Sequence, residues 1–136
     1  MGEPRLPRGL IDTSVVIDLQ ELDPDDLPIE VAVSAITMAE LAAGPHATED
    51  AEERGRRQDR LQRAEAAFDP LPFDGEAARA YGRIYAAVSA AGRKARGARA
   101  VDLLIAAVAL ALELPLYTRN TEDFRGLEDV VDVIRV

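Results

Sequence analysis

Asp12, Glu40, Asp102 and Asp123 are acids set against apolar neighbours, and acids in such places need a physical reason. Asp12 closes Gly9-Leu10-Ile11. Glu40 interrupts Ala35-Ile36-Thr37-Met38-Ala39-Glu40-Leu41-Ala42-Ala43-Gly44. Asp102 stands directly before Leu103-Leu104-Ile105, and Asp123 precedes Phe124. An unpaired carboxylate is costly to bury, so each calls for a cap, a cationic partner or a metal ion. Capping explains each one alone: Asp12 at a strand end, Asp102 at a helix start, and Glu40 three residues after Thr37 in a capping box. Arg99, three residues back, is a partner for Asp102, and Asp123 also reads as a turn acid.

The rest of the inventory narrows the chemistry. The chain has no cysteine and one histidine, His46, which removes disulfides, thiolate metal sites, a cysteine nucleophile and histidine-rich zinc sites. Catalysis would rest on carboxylates, hydroxyls or a bound ion, and carboxylates prefer hard cations such as Mg²⁺ or Mn²⁺.

These acids need elements to position them. Gly9 to Asp12 reads as a short buried strand, followed by a helix from Val15 to Leu19 capped by Thr13 or Ser14. Ile29 to Ser34 reads as a second strand, and Thr37 as the cap of a helix over Met38 to Ala43. A long polar helix spans Thr48 to Ala67, its arginines paired on the surface with nearby acids. Phe68 to Phe73 is a further strand interrupted by Pro70 and Pro72. Glu76 to Ala91 is amphipathic, with Ala77, Ala80, Tyr81, Ile84 and Val88 on one face. Arg99 to Leu112 is almost wholly apolar and should run through the centre. Leu116 to Thr118 and Val130 to Val136 complete the strands. Helices alternating with strands predict one domain over residues 1–136, an α/β fold with a central, mainly parallel sheet covered on both faces. In such sheets ligands collect at the carboxyl ends of strands, where Asp12 and the segment after Thr118 would meet.

At 136 residues and 48 % hydrophobic the chain can build one core, and its apolar run from Leu103 to Leu112 is too short to span a bilayer. The sequence shows no secretory signal and reads as cytoplasmic, without a membrane partner. A formal charge of −9 argues against a general nucleic-acid coat. The charge is segregated, however: residues 18–30 carry acids only, whereas Arg93, Lys94, Arg96 and Arg99 form a basic connector.

Four segments, Leu10-Ile11-Asp12-Thr13-Ser14, Ile36 to Leu41, Val101 to Ala107 and Tyr117 to Phe124, resemble in order the motifs of PIN-domain ribonucleases, most closely VapC-type toxins of toxin–antitoxin pairs. The resemblance implies a three-layer α/β/α sandwich with a central parallel sheet and an RNA-cleaving site dependent on Mg²⁺ or Mn²⁺. By position, Asp12 and Asp102 become the main metal ligands, Glu40 and Asp123 complete the acidic cluster, and Ser14 and Thr118 supply polar contacts. Where many relatives carry a second acid this chain has Asn120, so either Asn120 or Asp123 stands nearer the ion. The resemblance also implies an antitoxin partner seated in an apolar groove and a homodimer.

As chemistry, such a site implies in-line hydrolysis that leaves 5′-phosphate and 3′-hydroxyl ends. The basic connector is the expected grip on RNA beside the acids. The rival readings are a catalytically weak PIN-like module that binds RNA or protein, a structure-specific DNA nuclease, and a phosphatase using Asp12 as nucleophile. The last would want a second acid where Ser14 stands.

Overall fold

The computed structural model describes residues 4–136, apart from the side chain of Ala98. The first three residues of the expected domain lie outside the described residues. Strands β1 (Arg8–Ile11), β2 (Glu30–Ala32), β3 (Leu116–Thr118) and β4 (Val133–Arg135) form a sheet in the order β2-β1-β3-β4, every neighbouring pair parallel. The helices are α1 (Thr13–Ile17), α2 (Ala35–Ala43), α3 (Ala51–Ala67), α4 (Gly75–Ala90) and α5 (Ala98–Ala111), with short 3₁₀ turns at Leu19–Glu21, Pro24–Asp26, Gly44–Ala47 and Thr121–Phe124.

Alternation along the strands builds two cores. Successive residues point to opposite faces, so Leu10 and Leu116 pack with Ile84, Val88, Leu103, Ile105 and Phe124 from the α4–α5 side. Their neighbours Ile11 and Tyr117 pack with Val15, Val33, Leu41 and Ala64 on the other face. This is the three-layer α/β/α arrangement, and it explains why β1 and β3 are buried on both faces. The apolar α5 is central as expected: Leu103 and Ile105 to Ala109 are buried. Gly9 makes one close passage possible, since a Cβ there would stand 2.8 Å from Tyr117 Cδ1 and 3.0 Å from Pro28 Cγ. Among the described residues no helix is long and apolar enough to cross a membrane.

All but one of the expected elements form, but several ends differ. The N-caps are Asp12, Ser34, Asp50 and Asp74, each accepting a backbone N–H from inside its helix. Thr13, Ser14 and Thr37 therefore lie inside helices instead of capping them. Thr48 stands before α3 and accepts from Asp50 N. A cap needs an extended backbone as well as a side-chain oxygen, and when eligible residues cluster only the backbone selects one. Phe68 to Phe73 is not a strand: Leu71 makes an isolated bridge with Ser34, with hydrogen bonds to Val33 O and from Ala35 N, both 2.8 Å. Pro70 and Pro72 on either side have no N–H with which to extend it. The last strand keeps only Val133–Arg135.

Candidate active site

The strand order creates the crevice. From β1 the chain crosses to β2 on one side, returns to β3 on the other, and continues to β4. The switch point therefore lies between β1 and β3, and the space beyond their carboxyl ends is left open. Asp12 follows β1 directly, and Thr118 ends β3.

A hydroxyl network joins these two strand ends. Thr118 Oγ1 donates to Asp12 Oδ2 at 2.5 Å, Ser14 Oγ donates to Oδ1 at 2.6 Å, and Val15 N caps α1 through the same oxygen at 3.1 Å. Arg119 N in turn donates to Ser14 Oγ and Asn120 N to Thr118 Oγ1, both at 3.0 Å. The capping explanation for Asp12 is therefore correct and incomplete, since the capping carboxylate also faces the crevice edge. Asp12 is only 4 % exposed. Burial raises its pKa above the ordinary value, opposed by the hydrogen bonds from Ser14 and Thr118.

Glu40 is reached from α1. Thr13 Oγ1 lies 2.5 Å from Glu40 Oε1 and 3.1 Å from Thr37 Oγ1, while Thr37 N is taken by the Ser34 cap. The Thr37–Glu40 capping box does not form, because α2 begins at Ala35 and places Glu40 in its middle. Thr13, which sequence reasoning read only as a cap, is the residue that orients Glu40. Nothing in the sequence signals this, because the contact spans 27 positions. Replacing Thr13 by Val should lower kcat about tenfold with little change in KM, and Thr13→Ser should restore it. Equal loss in both variants would remove the positioning role.

Asp102 is likewise not a cap. Gly97, with φ 64° and no side chain, precedes α5, and Asp102 lies beyond its first turn. Burial pushes its carboxyl up to about 7, reinforced by the charges of Asp123, Glu40 and Asp12 and opposed by Arg99. All four acids thus lie within one electrostatic neighbourhood, assembled by the packing of α2 and of the Thr121–Phe124 turn on α5. Of Asn120 and Asp123, it is Asp123 whose charge acts on Asp102, whereas Asn120 is exposed and enters the network through its backbone N–H.

The donor set suits a hard divalent cation: only carboxylate and hydroxyl oxygens, with mutual repulsion that a 2+ charge would relieve. Among the described residues, however, no three carboxylate or imidazole groups are arranged to hold one ion. The acids share a neighbourhood and not yet a coordination sphere.

The basic connector divides. Lys94 and Arg96 are exposed, Arg93 is half-buried and its charge acts on Glu128, and Arg99 is half-buried with its charge acting on Asp102. Arg99 Nη1 is sealed from solvent without a hydrogen-bond partner among the described residues. A sequence-missed cation, Arg119, also borders the site, and pairs with Asp18 at 3.1 Å.

A doubly wound parallel sheet with an acidic cluster at its switch point is the architecture of the PIN domain, whose family model matches residues 9–129. The chain belongs to that family. Within it the chain is of the VapC kind: it is 36 % identical over 133 residues to ribonuclease VapC5 of Mycobacterium tuberculosis, covering 94 % of this chain and 95 % of that protein. The crystal structure of VapBC-5, a member of the VapBC family of toxin–antitoxin systems from the same species, aligns with a TM-score of 0.83 at 36 % identity, covering 96 % of this chain and 99 % of that one. FitAcB from Neisseria gonorrhoeae aligns with a TM-score of 0.68 at 29 % identity, covering 92 % and 95 %.

Proposed function

We propose that this protein is a metal-dependent endoribonuclease and the toxin of a toxin–antitoxin pair. The observation that supports the chemistry is the shared electrostatic neighbourhood of Asp12, Glu40, Asp102 and Asp123, in which burial and mutual repulsion lift Asp102 to about 7. Kinship with VapC ribonucleases, which occur in VapBC assemblies, supports RNA as substrate and an antitoxin as partner. A homodimer belongs to the same reading.

Asp12 and Asp102 would hold Mg²⁺ or Mn²⁺, with Glu40 and Asp123 completing the shell. When bound, the ion supplies Lewis-acid polarisation of the scissile phosphate and activation of water. The chain's own part is orientation and proton handling. Thr118 and Ser14 fix both oxygens of Asp12, so the carboxylate cannot rotate away from the crevice. Thr13 holds Oε1 of Glu40, leaving Oε2 to accept the proton of an attacking water. Arg93, Lys94, Arg96 and Arg99 attract RNA phosphates that the acids would otherwise repel.

Cleavage of structured RNAs with Mg²⁺, Mn²⁺ or EDTA tests this reading. Mg²⁺ or Mn²⁺ should support cuts leaving 5′-phosphate and 3′-hydroxyl ends, and EDTA should abolish them. Products ending in 2′,3′-cyclic phosphate would assign attack to the RNA 2′-hydroxyl and remove the water mechanism.

A further inference from the structure

The backbone ladder between β1 and β3 stops short of the crevice. Its last rung is the bond from Asp12 N to Tyr117 O, at 3.0 Å. Beyond that rung, among the described residues, no backbone–backbone hydrogen bond joins the segment after β1 to the segment after β3. Asp12 stands on the first of these segments and Asp123 on the second. Hydrogen bonding across the seam therefore passes to side chains.

Three such links follow from the buried end outwards. Thr118 Oγ1 donates to Asp12 Oδ2, Arg119 N donates to Ser14 Oγ, and Arg119 Nη1 donates to Asp18 Oδ2 at 3.1 Å. The last is an ion pair with both side chains more than a third exposed. It closes a ring. Asp18 N donates to Ser14 O at 3.4 Å, Ser14 Oγ accepts from Arg119 N, and the Arg119 guanidinium returns to Asp18. Ser14 is thus tied through its carbonyl and its hydroxyl, and that hydroxyl donates to Asp12 Oδ1 at 2.6 Å. Asp18 ends α1, a helix of five residues, and Arg119 precedes the Thr121–Phe124 turn that carries Asp123. A helix this short has little rigidity of its own, so its seating on the crevice depends on what holds its two ends. Asp12 caps one end, and Asp18 anchors the other.

We propose that Asp18 and Arg119 form a clasp across the switch point, positioning residues that set the Ser14 hydroxyl and through it the Asp12 carboxylate. For its effect on cleavage the proposal rests on the ribonuclease reading; for its effect on the seam it does not. A direct role for Arg119 on RNA phosphate fits less well, because its guanidinium is already occupied by Asp18 and its backbone N–H is built into the network. The two roles make opposite forecasts for Asp18. If the arginine gripped RNA, removing its competitor would strengthen binding. If the pair is a clasp, removing the acid loosens the site as much as removing the arginine does. Exposed ion pairs add little to global stability, so neither substitution should move the melt.

The test compares the full chain with Arg119→Gln, Asp18→Asn and the conservative Arg119→Lys. Amide hydrogen exchange, followed by NMR in EDTA, should speed about tenfold at Arg119 and Asn120 in the first two variants, with the amides of α5 and the thermal melt unchanged. RNA binding is followed by anisotropy of a fluorescein-labelled oligouridylate in EDTA over a KCl series, and cleavage of the same RNA in MgCl₂. Both variants should lose about tenfold in kcat with KM unchanged, and Arg119→Lys should recover most of the loss. Unchanged exchange in either of the first two variants overturns the clasp. Faster exchange throughout the protein with a lowered melt would mean general loosening and also overturns it. So does tighter RNA binding by Asp18→Asn, or a raised KM for Arg119→Gln with a salt slope lower by roughly 0.7, which would assign the arginine to RNA phosphate. If exchange speeds locally but wild type cuts no RNA, the clasp stands and the ribonuclease reading fails. If wild type cuts RNA and exchange is unchanged, the ribonuclease reading stands and the clasp fails.

Discussion

Asp12→Asn should abolish measurable RNA cleavage, lowering kcat/KM about a thousandfold, while leaving the fold intact. The substitution separates the two jobs of this side chain. As a helix cap, asparagine is the equal of aspartate. Its carbonyl oxygen can take over the bonds from Ser14 Oγ and Val15 N that Oδ1 now accepts. The introduced amide would face Thr118 Oγ1, which can accept from it as it already accepts from Asn120 N. What disappears is a negative charge at the switch point. Loss of one electrostatic stabiliser at a reacting centre typically costs about a hundred- to a thousandfold, and under the proposed role of Asp12 in holding the ion the loss lies at the upper end. Activity within tenfold of wild type, with an unchanged melt, would remove Asp12 from the machinery.

Asp102→Asn should do something less intuitive: destroy activity and stabilise the protein in EDTA at pH 8. The carboxyl is raised to about 7 in the folded chain from an ordinary value of 3.8. Because the folded state holds this proton more tightly, its favourable contribution is complete below about pH 4 and is lost as pH rises through 7. At pH 8 the native state carries an ionised carboxylate that is partly buried and faces Asp123, Glu40 and Asp12. The full shift corresponds to about 4 kcal/mol. Residual solvent access and movement of neighbouring acids reduce the expected gain to about 1–3 kcal/mol. Urea melts should show that gain at pH 8, less of it near pH 5, and a smaller or reversed difference when saturating Mg²⁺ stabilises wild type by binding the native state. A variant no more stable than wild type at pH 8 in EDTA would mean that the acids do not strain one another.

Both predictions concern residues that were visible in the sequence, although their reasons were not. Asp12 and Asp102 stood out because carboxylates beside Leu10-Ile11 and Leu103-Leu104-Ile105 need compensation. The strand and helix periods, the apolar α5 and the parallel sheet were equally legible, since period-two and period-3.6 patterns are local. Helix starts were less so. At Thr13-Ser14 and at Ser34 to Thr37 several residues are chemically able to cap, and the choice is made by which one the chain leaves extended. The strand expected over Phe68 to Phe73 reduced to one bridge because proline cannot donate to a ladder.

The four carboxylates were thus determined by sequence as residue types at apolar junctions, each with a sufficient local explanation in capping. Only the tertiary structure decided between those explanations. Winding the sheet in the order β2-β1-β3-β4 brings Asp12 beside Thr118, 106 positions away. Packing of α2 and the Thr121–Phe124 turn on α5 brings Glu40 and Asp123 into the field of Asp102. The same assembly made Thr13 the orienting partner of Glu40 and joined Arg119 to Asp18, 101 positions away. The physical reason is range. Capping and periodicity act over three or four residues and can be read along the chain, whereas repulsion between carboxylates, and the partner an arginine finds, depend on which distant segments the hydrophobic cores press together.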